Sequence, residues 1–269
     1  MIKAVGRVYT ALIFAFLYAP LIIMVLFSFN SSNSLSVFTG FSLDWYKELF
    51  ASDEVLEALT NTLILAALSS VIATVIGTAA AIGIEKMRTK WLKAAVNTVS
   101  NLPMMNPDIV TGISMALLFV FAMRLFGADS MLGFGTVLIA HITFNLPYVI
   151  LNVLPKLRGM DRSLVEAAMD LGCTPVKAFF KVTLPEIMPG IFSGALMAFT
   201  LSLDDFVISY FTSGADFQTL PLYMYSITRK NVKPDIYALS TIVFVIILLL
   251  LLLSNFVQMR ADKKKTNKK

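Results

Sequence analysis

Cysteine and histidine each occur once, as Cys173 and His141. A single cysteine excludes an internal disulfide and any multi-cysteine metal site. A single histidine excludes His-rich metal chemistry. Charge is also scarce: Asp, Glu, Lys and Arg make up 14% of the chain, against about 25% in soluble domains. Glycine and proline are too few for a fibrous or low-complexity protein. No G-x-x-x-x-G-K-[ST] stretch is present, so the chain lacks that phosphate cradle. No internal repeat is evident. What is abundant is apolar residues, at 57% with a mean hydropathy of +0.78. A disordered chain, a nucleic-acid-binding tail and an ordinary cytosolic enzyme are thereby excluded. An all-α integral membrane protein remains.

A spanning helix needs about 20 apolar residues. Val8–Phe29, Leu63–Ile84, Met131–Pro155 and Ile236–Val257 meet this directly. Val99–Met123 and Ile187–Phe211 are apolar but carry Asp108 and the pair Asp204 and Asp205. Counting both gives six transmembrane helices, and the loops then alternate in charge. With the N-terminus in the cytoplasm, 17 of the 22 Lys and Arg residues fall inside, as the positive-inside rule requires. Both termini are therefore expected to be cytoplasmic in a multi-pass protein. The net charge of +5 reads as topology and attraction to anionic membrane lipid, with no nucleic-acid partner. The first span is longer than a signal-peptide core and is expected to be retained, with Pro20 kinking it. The first outside loop, Asn30–Ala58, holds Asp44, Glu48, Asp53, Glu54 and Glu57 against Lys47. It is either an acidic mouth or a solvated loop.

The cytoplasmic stretch 156–185 reads as two short helices. Ser163 and Glu166 fit a capping box, with the helix running to Leu171 and Gly172 at the position that favours glycine after a helix. Thr174-Pro175 fits an N-cap followed by proline at the first helical position. Glu166 is a helix cap on the bland reading. The spacing Glu166-Ala167-Ala168, Gly172, Val182 and Leu184-Pro185 resembles the EAA loop of ABC-transporter permeases, with valine at 182 where isoleucine is usual. The resemblance implies that Glu166, Ala167, Ala168, Gly172, Leu184 and Pro185 couple the chain to a separate ATP-binding subunit. Ala167 and Ala168 would allow that subunit a close approach.

An aspartate at a helix centre costs roughly 2.5–3.5 kcal/mol on insertion. Such residues either line a pathway or serve as caps and buried hydrogen-bonders. Asp108 follows Asn106-Pro107 and could mark a helix break. Ser202, Asp205, Ser209 and Thr212 share one helical stripe, which favours Asp205 for a polar face without excluding Asp204. Carboxylates in a low-dielectric cavity would attract an oligocation. Trp45 could bind a cation by its ring face or anchor the chain at the interface. His141 is expected to be a packed, helix-linking hydrogen-bonder and Cys173 an inert loop residue.

Asn106-Pro107-Asp108-Ile109-Val110, His141-Ile142-Thr143-Phe144, Phe199 to Ser209 and Leu220-Pro221-Leu222-Tyr223, with the EAA loop, resemble the polyamine-type ABC permeases over nearly the whole chain. Tyr237 departs from them, since asparagine is common there. The resemblance implies a type I ABC importer permease fold. Residues 1–57 would form the first helix and external loop, 58–258 the permease core, and 259–269 a basic tail. It implies a permease subunit moving polyamines such as spermidine and putrescine through a bacterial cytoplasmic membrane. Asp108, Asp204, Asp205 and Trp45 would lie on the substrate path. The subunit would need no cofactor of its own. Its partners would be a second permease, two ATP-binding subunits that hydrolyse ATP, and an extracytoplasmic polyamine-binding protein. A related importer for another cationic or small organic solute is the alternative. A membrane enzyme is disfavoured, because no nucleophile–base set or metal cluster is present.

Overall fold

The computed structural model describes residues 2–32, 37–127, 132–230 and 235–266. It is nearly all helical. In order the helices are α1 (Ile2–Phe27), α2 (Asp44–Ala51), α3 (Asp53–Lys86), α4 (Lys90–Met105), α5 (Asp108–Phe126), α6 (Phe134–Arg158), α7 (Ser163–Asp170), α8 (Pro175–Ala178), α9 (Leu184–Asp204), α10 (Val207–Thr212), α11 (Leu220–Lys230) and α12 (Asp235–Thr266). A π-helical turn, Phe179–Thr183, joins α8 to α9. Among the described residues, five helical stretches are long and apolar enough to cross a membrane: Gly6–Phe27, Asp53–Lys86, Asp108–Phe126, Phe134–Arg158 and Pro175–Asp204. In α12 the described apolar stretch is the shorter Asp235–Leu249.

Two expected spans are interrupted by helix breaks. The stretch expected to cross as Val99–Met123 is divided at Asn106-Pro107. The residue before a proline is pushed out of the helical region, and Asn106 is extended at φ −84°, ψ 138°. The span begins at Asp108, and Lys90–Met105 is a helix of its own. The stretch Ile187–Phe211 is likewise broken, after Asp204.

The chain forms two compact units. One comprises residues 1–58 and 223–249, the other 59–222 and 250–269. In the first, the loop after α1 is organised by buried Asn30. Its Nδ2 donates to the Val37 carbonyl at 2.8 Å, and its Oδ1 accepts from the Thr39 N–H at 2.9 Å. Phe27 meets Tyr237 edge-on at 6.1 Å, so the residue that departs from the resemblance is an apolar packing partner.

The second unit is built on α6 packed along α9. Their core joins Val149, Val153 and Leu157 of α6 to Ile187 and Ala198 of α9 and to Ala73 and Ala81 of α3. Lipid gives helices no hydrophobic drive to associate, so close approach at small residues must supply the packing. Gly190 meets this need: a Cβ there would lie 2.8 Å from the Asn152 carbonyl oxygen and from Lys156 Cγ. Polar glue accompanies it. Ser202 Oγ lies 2.9 Å from Ser69 Oγ and accepts from Asn145 Nδ2 at 2.8 Å, linking α9, α3 and α6 in the buried interior.

Gly190→Ala should therefore lower stability by about 1–3 kcal/mol, the usual cost of overpacking. Gly83→Ala, where a Cβ meets nothing within 4 Å, should cost nothing. Thermal unfolding of the purified variants checks this, and equal effects would show that the α6–α9 approach is not tight.

Candidate functional site: a broken helix and a coupling loop

The loop between α6 and α9 carries the expected coupling residues. Its helix α7 starts one residue earlier than the capping-box reading implied. Ser163 is the first helical residue, Arg162 precedes it, and no side chain caps the end. Asp161 takes over instead, accepting the Ser163 N–H at 3.0 Å. This bond from Ser163 holds the Asp161 carboxyl below the usual range. Glu166 is thus free of a capping duty, and both it and Ala167 are exposed.

The other end matches expectation in position and mechanism. Gly172 has φ +86°, a conformation that L side chains rarely adopt. Its N–H donates to the Met169 carbonyl at 2.9 Å, and the Cys173 N–H donates to the Ala168 carbonyl at 3.0 Å. That pair of bonds is a Schellman motif. Thr174 then caps α8, accepting the Lys177 N–H at 3.4 Å, with Pro175 at the first position. Leu184 and Pro185 open α9.

The acids occupy two helix ends. Asp108 is the first residue of α5 and is exposed. A carboxylate at a helix N-terminus is favoured by the helix dipole, so the bland reading accounts for its tolerance there. At Gly112, one turn on, a Cβ would lie 3.0 Å from Phe211 Cδ2 and 3.4 Å from the Val207 oxygen. The first turn of α5 therefore lies beside α10.

Asp204 ends α9 and Asp205 is extended at φ −66°, ψ 122°. The expected continuous stripe through Ser202, Asp205, Ser209 and Thr212 is not one helix. Asp205 instead starts α10. Its carboxylate accepts from the Ile208 N–H at 3.2 Å, the Ser209 N–H at 2.8 Å and the Ser209 hydroxyl at 2.8 Å. His141 Nε2 stands 3.3 Å from the same carboxylate and 3.0 Å from Ser209 Oγ. The Asp205 side chain is 9% exposed and that of His141 1%. His141 is thus the helix-linking residue expected, joining α6 to α10. Asp204 is exposed. Periodicity favoured Asp205 for the open polar face, and the break reverses the pair. The α9 segment of 21 residues is about 30 Å long at 1.5 Å per residue. The acids therefore sit at the far end of α9 from the coupling loop.

Trp45, in the first unit, is half-buried. Its indole N–H donates to the Asn30 carbonyl at 2.7 Å, which makes it a tie within its own loop. The sequence does not single out Glu85 or Asn145, and it marks Ser209 only as a member of the polar stripe. Serine and asparagine in an apolar run signal buried polar contacts, but spacing alone does not say with what. Among the described residues, no group of three or more His, Cys, Asp or Glu is placed to hold a metal ion.

Asp205→Asn should destabilise the protein by about 1–3 kcal/mol, because a charged acceptor of several buried bonds becomes a neutral one. Asp204→Asn should stay within about 0.5 kcal/mol of the parent, as surface changes do. Chemical or thermal unfolding separates the two, and equal costs would contradict the division of labour.

Known proteins share this architecture. Residues 73–267 match the family described as binding-protein-dependent transport system inner membrane component. The putrescine transport system permease protein PotI of Escherichia coli K12 is 40% identical over 252 residues, covering 94% of this chain and 90% of its own. The spermidine/putrescine transport system permease protein PotC of Haemophilus influenzae is 38% identical over 245 residues, covering 91% and 93%. Among solved structures, a bacterial ABC transporter involved in import of the acidic polysaccharide alginate aligns at a TM-score of 0.71 and 19% identity, over 96% of this chain and 95% of that one. The MetNI methionine ABC transporter aligns at 0.60 and 20%, over 79% and 98%. The fold is that of the type I ABC importer permeases, and the chain belongs to the binding-protein-dependent transport system inner membrane component family.

Proposed function

We propose that this chain is the permease subunit of an ATP-driven importer of polyamines, of the spermidine and putrescine class, in a bacterial cytoplasmic membrane. The observation that carries the reading is the 40% identity to a putrescine permease across 94% of the chain. The exposed carboxylates of Asp204 and Asp108 support it, since an oligocation leaving water needs fixed negative groups in its place. Fold alone would not suffice, because a similar fold belongs to a transporter for an acidic polysaccharide.

The chain would work with a second, homologous permease, two ATP-binding subunits and an extracytoplasmic polyamine-binding protein. ATP would be hydrolysed by those partners, since this sequence has no Walker-type phosphate loop of its own. The termini would be cytoplasmic, where the Lys and Arg excess places them. Asp204 and Asp108 would receive the substrate's ammonium groups, and Asp205 would act through them by holding the helix break. Trp45 would offer its ring face to a cation at the external loop. The coupling surface would be α7, with Glu166, Ala167 and Ala168 presented to the ATPase, and Gly172, Leu184 and Pro185 shaping the turn and the start of α9.

Uptake of labelled spermidine by the reconstituted complex tests this. Asp204→Asn or Asp108→Asn should weaken uptake affinity by about one to two decades, the value of a charge-assisted hydrogen bond, with assembly intact. Glu166→Ala should abolish substrate-stimulated ATP hydrolysis with no change in stability, because Glu166 caps nothing. Wild-type uptake in both Asn variants would contradict the cationic-substrate reading.

A further inference from the structure

A helix that transmits motion needs a stiff connection to what it moves. Helix α7 contains no buried residue. Beside it lies a cavity of about 730 Å³, lined on one side by Val165, Glu166 and Met169 and on another by Lys86 and Lys93. Apolar packing therefore does not bind α7 firmly to the membrane helices. Along the chain, α7 is held by the four-residue link 159–162 to α6 on one side, and by α8 and the π-helical turn to α9 on the other, with no covalent path to α3 or α4 except through these.

A second path is ionic and converges on Glu85, at the last turn of α3. Its carboxylate lies 2.8 Å from Lys93 Nζ of α4 and 3.4 Å from Arg158 Nε, the last residue of α6. It also lies 3.0 Å from Arg162 Nη2, immediately before α7. Lys93 Nζ donates in addition to the Glu85 carbonyl at 3.1 Å. The Glu85 side chain is 15% exposed, whereas Arg162 is 79% exposed. Isolated surface pairs contribute little. A largely shielded carboxylate among three cations differs, because removing it leaves those charges to resolvate or repel one another.

We infer that Glu85 is a positioning residue for coupling. It ties the start of α7 to the ends of α3, α4 and α6, so that motion imposed on α7 reaches α3 and α4 as well as α9. The inference rests on the reading of α7 as the surface an ATPase subunit engages, and it deepens that reading. One carboxylate joins four helices that the chain itself connects only in series. Losing it would leave α7 attached through its own chain, free to move without α3.

The test uses the full transporter in lipid nanodiscs, with spin labels at exposed Leu164 on α7 and Leu92 on α4. In the parent, the distance distribution between them should be narrow and unchanged when nucleotide is trapped with vanadate, because the two helices move together. In Glu85→Gln it should broaden and shift with nucleotide. Transport per ATP hydrolysed should fall about tenfold, the scale of one lost charged hydrogen bond, while basal hydrolysis persists. Glu85→Asp should retain part of the coupling. Adding Arg162→Gln to Glu85→Gln should cause no further loss. A parent-like distribution in Glu85→Gln would overturn the inference. Should that variant fail to assemble, Arg162→Gln, a surface change, must broaden the distribution, and a parent-like result there is equally contrary. If the parent complex moved no polyamine, the proposed function would fail, while the distance measurement would still report on the clamp.

Discussion

A break in a membrane helix leaves backbone N–H groups that hydrocarbon cannot satisfy, so the protein itself must supply acceptors. Here a single carboxylate does most of that. Asp205 takes two amides and a hydroxyl from the first turn of α10 and faces His141 on α6. The rest of the site follows from that arrangement. With Asp205 turned inward, the adjacent Asp204 is exposed. With α10 fixed, Gly112 can seat α5 against Val207 and Phe211, which places the α5 start, and Asp108 with it, alongside the broken helix.

At the other end of α9 the design is different. Helix α7 is short, exposed and closed by backbone bonds around Gly172. It is rigid within itself and has no buried residue packing it onto its surroundings. The continuous helical path from Leu184 to Asp204 then links a surface suited to a partner with the place where the acids lie. Intervening glycines and serines let α6 and α9 approach without apolar bulk, which favours movement as one body.

Composition and hydropathy sufficed for the fold class because a bilayer demands long apolar helices and allows few alternatives. The turn at Gly172 and the cap at Thr174 were legible because each depends on neighbours in sequence. The break at Asp205 was not. Periodicity presumes an unbroken helix, and Ser209 and His141 recruit Asp205 across a gap that no local pattern marks. The proline break at Asn106-Pro107 was visible as a possibility, yet hydropathy ran through it, since apolar residues continue on both sides. Ser163 looked like a cap because its spacing to Glu166 was right, but Asp161, two residues earlier, takes the Ser163 N–H that the Glu166 side chain would have bound. Glu85 is not legible because two of its three partners lie 73 and 77 residues away in sequence and all resemble ordinary boundary charges.

Asp205 is structural and Asp204 accessible, and the broken helix depends on that division. The division is tested most directly by thiol accessibility in a Cys173→Ser background carrying either Asp204→Cys or Asp205→Cys. A membrane-impermeant, water-soluble thiol reagent should modify position 204 in the assembled transporter, and spermidine should slow that reaction. Position 205 should be unreactive with or without spermidine. Rapid, spermidine-protected modification at 205 and none at 204 would contradict the account.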